Sequence, residues 1–403
     1  MESISSRELA GELLNELLAS CDWRDELLVQ LVERTSSFHE GTAKEASTAL
    51  FRGIVEVLGD HFEPKLCEAY SRFFSRVIEL LRPDLPASQL VARYQRVRTV
   101  RECRLTPSRI YVLSRVTLGA DVAVTSVIIH ALKQCFRGAR IVFVGSRKNY
   151  ELFAADSRMD HMEFDYKRNG TLRERLKRVP QIDPSDSIIV DPDSRLTQLG
   201  LIPICPEDRY FFFESRGFLA QTPHALPQIA AQWCGLVFQV PRARPFIAPD
   251  TRGEETDIAI SFGVGENEEK RVGDEFERQL LEALVQRGRR VVLDRGAGSE
   301  EAARADAAAA DLPNIELHSG PYAPFAARIE RAKLYIGYDS AGQHVAAACR
   351  VPLISVFKGH VSQKMLQRWS PTGHDRITVV PVPPTEDVLG KVLQAVDAMA
   401  SPR

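Results

Sequence analysis

The stretch Ala332–His360, AKLYIGYDSAGQHVAAACRVPLISVFKGH, decides the fold of this chain. Leu334–Gly337 is an apolar run of strand length, an Ala-rich helical segment follows the turn at Tyr338, and Val351–Phe357 is a second β-branched run. This order predicts a strand, a turn, a helix and a parallel strand. The turn of such a unit presents backbone N–H groups and the positive end of the helix dipole at one edge of the sheet. This edge is therefore a candidate site for a phosphate or diphosphate.

Four residues of the turn have roles that suit such a site. Asp339 or Ser340 can cap the helix, because short oxygen-bearing side chains bind the first N–H groups of a helix. Gly342 lets a ligand approach the backbone closely, and His344 falls in the first helical turn facing the same crevice. The alternative is a plain capped turn in which His344 packs locally.

The sequence from Asp339 to His344 resembles the signature Asp-Ser/Thr-Gly-x-x-His of glycosyltransferase family 9, the ADP-heptose:lipopolysaccharide heptosyltransferases. Ala341 stands where the family has glycine, and Gly342 follows one position later. The resemblance implies that Asp339, Ser340, Ala341, Gly342 and His344 bind a nucleotide-sugar donor.

A second segment, about two hundred residues upstream, resembles the same family. The strand-like run Arg109–Arg115 precedes Leu118-Gly119, and Asp121 opens a helical segment, where the family has Leu-Gly-Asp-Val. Ala120 is one inserted residue. The resemblance implies that Asp121 is the catalytic base and that Gly119 lies at the acceptor. An N-cap role for Asp121 is the alternative, and the two roles are compatible.

Between these motifs, the predicted strand Asp257–Phe262 leads into a turn that contains Gly263 and Gly265. The basic pair Lys270-Arg271 follows on an acidic loop. The resemblance places Gly263, Gly265 and Lys270 at the donor phosphates and gives Lys270 a catalytic role. A solvated lysine is the alternative.

The acceptor contacts are assigned by a third segment, Ile188–Gln198, which resembles a strand and loop of the family's first domain. The resemblance implies that Asp193 and Arg195 bind the acceptor. Asp191-Pro192-Asp193 has the Asp-x-Asp form of a metal motif but lies in the predicted acceptor half, and a plain loop after a strand is the preferred interpretation. Arg368–Gly373 resembles the segment that closes the second domain.

The donor ribose is commonly held in this family by an acidic residue beyond the strand that corresponds to Arg290–Leu293. Gly298 occupies that place here, and Asp294, Glu300 and Glu301 are acidic neighbours.

Composition excludes several classes of protein. The 403 residues are 44% hydrophobic and 26% charged with a net charge of −2, which is typical of a globular protein without general attraction for nucleic acid. The seven cysteines never form a CxxC pair, which argues against a disulfide framework and a zinc site. Neither a targeting sequence nor a long apolar run stands out. We expect a cytoplasmic enzyme whose contact with a membrane, if any, is peripheral.

The chain divides into three predicted parts. Residues 1–105 read as helices, residues 106–245 as a Rossmann-like acceptor domain, and residues 246–403 as a Rossmann-like nucleotide-sugar-binding domain. The expected fold class is α/β, a GT-B fold of two Rossmann-like domains facing a cleft, preceded by an all-α region. The helical region either packs against the first domain or offers a surface for a homo-oligomer or another partner. The basic stretch Tyr94–Arg104 reads as a solvated linker.

The resemblance implies an inverting, metal-independent glycosyltransferase without a cofactor. The donor is a nucleotide-diphosphate sugar, with ADP-heptose suspected, and the acceptor is a glycan or lipid-linked core of lipopolysaccharide. Asp121 takes the acceptor proton, while Lys270, backbone N–H groups and a protonated His344 stabilise the leaving diphosphate. Two alternatives remain: an inactive scaffold that binds nucleotide sugars, and a nucleotide-sugar epimerase or hydrolase of the same fold.

Overall fold

The computed structural model describes residues 4–167, 170–265, 267–374, 376–382 and 387–400. In chain order the helices are Ser6–Ser20 (α1), Asp25–Thr35 (α2), Glu40–Leu50 (α3), Glu56–Asp60 (α4), Pro64–Leu81 (α5), Ala87–Val97 (α6), Leu118–Ala120 (α7), Ser126–Cys135 (α8), Arg147–Tyr150 (α9), Leu172–Lys177 (α10), Leu226–Phe238 (α11), Asp274–Gln286 (α12), Ser299–Ala309 (α13), Tyr322–Glu330 (α14), Ala341–Ala348 (α15), Gln363–Trp369 (α16) and Val388–Ala400 (α17). Phe51–Val55 and Asp121–Thr125 are π-helical turns.

The strands are Arg109–Leu113 (β1), Arg140–Gly145 (β2), Met159–Glu163 (β3), Ser187–Asp191 (β4), Tyr210–Phe212 (β5), Thr256–Ser261 (β6), Val291–Asp294 (β7), Ile315–His318 (β8), Ala332–Tyr338 (β9), Leu353–Phe357 (β10) and Ile377–Pro381 (β11). They form two sheets, of order β3-β2-β1-β4-β5 and β11-β10-β9-β6-β7-β8. In the first sheet β1 pairs in parallel with β2 and β4, and β4 with β5; all neighbouring strands of the second sheet are parallel. Counted from its own first strand, each sheet has the Rossmann order 3-2-1-4-5, which the second extends by a sixth strand.

Contacts between Cα atoms divide the chain into two compact units. Unit 1 contains Met1–Val116, Gly138–Ser146 and Met162–Pro223, and unit 2 contains Thr117–Arg137, Arg147–His161 and His224–Arg403. The domain boundaries at residues 105 and 245 remain predictions.

The N-terminal helices share one hydrophobic core with the first sheet. Leu13, Phe73 and Phe74 from the helices and Leu113 and Phe212 from the strands are buried in this cluster. Helical period on one side and strand alternation on the other bring these side chains to a common face. The expectation that the helical region packs against the first sheet is therefore confirmed.

The basic stretch Tyr94–Arg104 is not a solvated linker, and that expectation was wrong. Its first residues belong to α6, and Arg98 forms ion pairs with Glu68 and with Glu214. Arg101 donates to the carbonyl oxygens of residues 207, 208 and 210. Carboxylates and carbonyls distant in sequence hold these arginines against unit 1.

A second core lies in unit 2 around the strands of the second sheet. It contains Ile260, Leu293, Ile336 and Val356 from four neighbouring strands, with Leu280 of α12 among the helical contributions. Strands of this kind, buried on both faces, read as nearly continuous apolar runs, which is why the sequence revealed them. Among the described residues, none of the helices combines the length and the low charge needed to cross a bilayer.

Candidate functional site

The candidate site lies at the carboxyl ends of β6 and β9, the central strands of the second sheet. Chain order reverses between these two strands, and ligands of open α/β sheets bind in the crevice at such a switch point. Ser261, the last residue of β6, pairs in register with Gly337 of β9. The loops that follow both strands therefore emerge side by side, and both contain residues that the sequence singled out.

Lys270 and Asp339 meet at this edge. The Nζ atom of Lys270 lies 2.7 Å from Oδ2 of Asp339 and 3.3 Å from its backbone oxygen. The Lys270 side chain is 20% exposed and that of Asp339 is 4% exposed. The structure thus brings together two predicted donor residues that are 69 positions apart, and excludes the alternative of a solvated lysine.

The loop that carries Lys270 is held in place by its neighbour Arg271. Arg271 forms a bidentate ion pair with Glu277, whose side chain is 1% exposed. The same carboxylate accepts a hydrogen bond from the Tyr338 hydroxyl, which itself accepts from the backbone N–H of Val272. Burial raises the pKa of Glu277, and Arg271 opposes that rise. The two basic residues therefore have different roles. Arg271 holds the loop in place, and Lys270 contacts the motif that begins at Asp339.

Asp339 is also held from its other side by Gln343. Gln343 is fully buried, and its Nε2 atom lies 2.5 Å from Oδ1 of Asp339 and 3.3 Å from the backbone oxygen of Trp369. Its Oε1 atom accepts a hydrogen bond of 2.5 Å from Ser355 of β10. The motif Asp339–His344 therefore contains a buried polar side chain, Gln343, that the sequence analysis did not select.

His344 is buried beside this network, 4% exposed and 6.0 Å from Trp369 between ring centroids. Burial lowers its pKa to about 4; the charge of Asp339 opposes this shift and that of Lys270 adds to it. The imidazole is therefore neutral near pH 7. The expectation that His344 is protonated is wrong, because desolvation of the ring lowers its pKa more than the nearby carboxylate raises it.

Gly342 faces the ring of Tyr335 rather than open space. A Cβ atom added at Gly342 would overlap the hydroxyl oxygen and Cζ of Tyr335 and lie 2.8 Å from its Cε2. Gly337 faces the same hydroxyl. A glycine at position 342 is thus required by the packing of a buried tyrosine, whatever ligand approaches the helix.

Ser340 and Ala341 form the start of α15, and Gly119 lies against them. Ser340 occupies the N-cap position, and no hydrogen bond joins its side chain to the first turn. A Cβ atom added to Gly119 would lie 3.2 Å from Cα of Ala341 and 3.4 Å from Cδ2 of His344. The second motif therefore contacts the first within unit 2, so Gly119, predicted at the acceptor, lies beside the predicted donor residues.

Asp121 is fully buried at the start of the π-helical turn Asp121–Thr125. Its Oδ1 accepts from the Thr125 hydroxyl at 2.7 Å, and its Oδ2 accepts from Nδ2 of Asn149 at 2.6 Å. A π-helical turn holds one residue more than an α-helical turn, and Ala120, the residue inserted relative to the family motif, directly precedes it. Both carboxylate oxygens of the predicted base are thus engaged by neighbours.

The loop after β6 contains Gly263 and Gly265. The backbone N–H of Gly263 donates to the Ser261 hydroxyl, and Gly265 has a positive φ of 63°. Across this loop, Glu301 accepts from the backbone N–H of Ala297, and its Oε1 lies 3.4 Å from the Cβ position of Gly263.

Acidic groups line the neighbouring strand end. Asp294 ends β7, and burial raises its pKa. Of the acidic neighbours of Gly298, the structure thus places Asp294 and Glu301 beside the loop that contains Gly263.

The predicted acceptor residues Asp193 and Arg195 lie in unit 1 and bind other protein groups. Asp193 is 3% exposed, accepts from the Ser215 hydroxyl at 2.7 Å, and forms an ion pair with Arg216 at 3.0 Å. Arg195 forms an ion pair of 2.8 Å with Glu56 of the N-terminal helices. Within unit 1, both side chains are therefore engaged by other protein groups.

Among the residues that the structure describes, histidine, cysteine, aspartate and glutamate form no group of three or more that could hold a metal ion. Metal independence stays a prediction.

Sequence reasoning missed Gln343, Tyr335 and the Arg271–Glu277 pair. Gln343 had one available signal, since a polar side chain inside an otherwise apolar helix implies a buried partner. The partners of Tyr335 and Glu277 are set by loops distant in sequence, and no local pattern reveals them.

Comparisons with known proteins agree with this geometry. Residues 253–381 match the model of "Glycosyltransferase family 9 (heptosyltransferase)". Lipopolysaccharide heptosyltransferase 3 of Escherichia coli K12 is 33% identical over 136 residues, 29% of this chain and 39% of that protein. The chain thus spans 39% and 30% of the length of two curated relatives that it matches. The predicted resemblance to family 9 is confirmed.

Solved structures share the fold at low sequence identity. The E. coli heptosyltransferase WaaC with ADP has a TM-score of 0.53 at 15% identity, covering 72% of this chain and all (100%) of that one. E. coli ADP-heptose lipopolysaccharide heptosyltransferase II has a TM-score of 0.51 at 16% identity, covering 72% and 98%. The predicted GT-B fold class, α/β with an all-α N-terminal region, is confirmed.

Proposed function

Since its C-terminal part is similar to glycosyltransferase family 9, we propose that this chain is an inverting, metal-independent glycosyltransferase. It moves a sugar, heptose by analogy with its relatives, from a nucleotide-diphosphate donor to a glycan or lipopolysaccharide-core acceptor. The observation that carries this proposal is the pairing of Lys270 with Asp339 at the switch point of the second sheet. That place suits an anionic ligand, and a lysine held there supplies the positive charge.

The donor diphosphate binds over the N-terminus of α15 in this proposal. Backbone N–H groups after Ser340 point along the helix axis toward it, and the helix dipole favours its negative charge. Breaking the sugar–phosphate bond raises the charge on the leaving diphosphate, which Lys270 stabilises. His344 is neutral, so it contributes a hydrogen bond rather than a charge. Because Gly263 and Gly265 have no side chains, the loop after β6 leaves room for the nucleotide.

The general base is Asp121 in this proposal. The carboxylate accepts the acceptor proton as the acceptor oxygen attacks the anomeric carbon, and a single displacement inverts that carbon. The hydrogen bonds from Thr125 and Asn149 hold the carboxylate in one orientation.

The remaining predictions belong to the same proposal. We expect Asp193 and Arg195, which lie on the loop after β4, to bind the acceptor. A cytoplasmic location, peripheral contact with a membrane and assembly through the N-terminal helices are expected of the protein in the cell.

The donor site is tested by calorimetric titration with ADP, UDP and GDP. We expect selective binding of one nucleotide, ADP by analogy, weakened about tenfold in Lys270→Ala, as for loss of one charged contact. Lys333→Ala is the matched control, because Lys333 also pairs with an aspartate, Asp257, but is 74% exposed. Binding of none of the three nucleotides would contradict the donor site.

The reaction is tested with ADP-heptose and a lipopolysaccharide-core acceptor, with and without a chelator. We expect transfer that survives the chelator and falls at least about a hundredfold in Asp121→Asn. Nucleotide binding without transfer would favour the inactive scaffold. Consumption of the donor without an acceptor would favour the epimerase or hydrolase.

A further inference from the structure

Gln343 links three elements around the donor motif. It lies on α15, donates to Asp339 at the end of β9 and to the backbone oxygen of Trp369 at the end of α16, and accepts from Ser355 on β10. It is fully buried, as is Ser355. These three contacts lie within unit 2, and one of them is made to the carboxylate that Lys270 binds.

The hydrogen bonds fix the orientation of the Gln343 amide. A glutamine amide has two N–H donors and one carbonyl acceptor. Both acceptors, Oδ1 of Asp339 and the oxygen of Trp369, lie on its nitrogen side, and the Ser355 hydroxyl lies on its oxygen side. The flipped amide would oppose oxygen to oxygen at two contacts, so one orientation prevails.

The two oxygens of Asp339 therefore have different partners. Gln343 holds Oδ1, and Lys270 binds Oδ2. With Oδ1 occupied, the ammonium group engages the carboxylate through one oxygen only. Its second contact is to the backbone oxygen of Asp339, which leaves one of its three N–H donors for another anion. Without the amide, both carboxylate oxygens would be open to the ammonium group, which would sit between them.

We infer that Gln343 is a positioning residue of the donor site: it holds the Asp339 carboxylate so that Lys270 stays available to the donor diphosphate. Ser355 supports it by fixing the amide orientation. This inference rests on the proposed function for its effect on the donor, but its effect on Lys270 needs no donor.

The first experiment therefore measures Lys270 without any substrate. In Gln343→Leu, which keeps a similar volume, an amine-reactive reagent followed by mass spectrometry should modify Lys270 about threefold more slowly than in the wild type. The reason is that an ammonium group held between two carboxylate oxygens is less accessible to the reagent. Modification of Lys333 in the same sample is the internal control. An unchanged or faster rate at Lys270 would overturn the inference.

The second experiment measures the consequence for the donor. Gln343→Leu should weaken ADP binding about fivefold, and the same change in a Lys270→Ala background should have no further effect. A purely structural role would instead add its loss in both backgrounds and so refute the positioning role. Should Gln343→Leu fail to fold, Ser355→Ala takes its place in both experiments, with smaller shifts of the same sign.

The two failures are distinguishable. Absence of nucleotide binding by the wild type, with slower modification of Lys270 in Gln343→Leu, would overturn the proposed function and leave the positioning role supported. Normal ADP binding by the wild type, with equal modification in both proteins, would overturn the positioning role alone.

Discussion

Replacing Gly342 with alanine places a methyl group where the buried side chain of Tyr335 lies. The added carbon would overlap the hydroxyl oxygen and Cζ of the tyrosine and lie 2.8 Å from Cε2. Ordinary contacts between carbon atoms are about 3.5–4.0 Å long, so the hydroxyl oxygen and two ring carbons must move together. Tyr335 is 0% exposed and lies on β9, where a Cβ atom at Gly337 would meet the same hydroxyl. The ring is therefore packed in the core.

This overlap corresponds to insertion of a methyl group into a packed core, which costs about 2–3 kcal/mol. We therefore expect Gly342→Ala to lower the free energy of unfolding by about 2–3 kcal/mol. Gly298→Ala is the control: like Gly342, Gly298 lies at the start of a helix, but it has no neighbour within 4 Å of its Cβ position, and its φ is −107°. It should change stability by less than about 0.5 kcal/mol.

The assay is urea-induced unfolding followed by circular dichroism, with Tyr335→Leu and the double variant alongside. Because Tyr335→Leu removes the ring atoms that meet the methyl group, the double variant should lose less stability than the two single losses added together. Equal unfolding free energies for Gly342→Ala and Gly298→Ala would refute the packing argument. Gly342 would then be explained by ligand approach alone.

Three further outcomes follow from buried charges. Arg271→Leu leaves the carboxylate of Glu277 buried without its ion pair and should lower the free energy of unfolding by about 3 kcal/mol in urea. Asp193→Ala should cost about 2 kcal/mol by leaving Arg216 without its partner, and a chain as stable as the wild type would contradict that role. The pKa of His344 is about 4 in the folded chain against 6.5 when unfolded, so the unfolded state binds more protons between these values and stability falls as the pH drops from 6.5 to 4. In the wild type, protonation of His344 should lower the free energy of unfolding by about 3 kcal/mol between pH 7 and pH 4. We expect His344→Phe to lack this part of the decrease when unfolding free energies are measured at both pH values.

The central strands were predictable because they are buried on both faces. Thr256–Ser261 differs by one residue at each end from the predicted Asp257–Phe262, and Ala332–Tyr338 contains the predicted Leu334–Gly337. The strands Met159–Glu163, Ile315–His318 and Ile377–Pro381 were not predicted, and all three lie at sheet edges. An edge strand has a neighbour on one side only, and its exposed residues interrupt the apolar run on which the prediction depends.

The candidate site was predicted in part. Adjacent motif residues such as Asp339 and Ser340 are visible locally, because a turn after a strand needs short polar side chains and helix caps. The expectation that Lys270 and Asp339 lie at one site followed only from the resemblance, and neither their ion pair nor the partners of Asp193 were foreseen. A single sequence records which side chains are present and not which loops the strand order brings together.

The sequence by itself determined the parallel α/β architecture, the helical N-terminal region and the turn that opens α15, because each depends on periodicity or on neighbours within a few residues. Tertiary structure alone decided the charge state of His344, the partners of Asp121 and the division of work between Lys270 and Arg271. The physical reason is the same in each case. Desolvation and hydrogen bonding depend on what surrounds a side chain in space, and those groups come from strands and loops far apart in the chain.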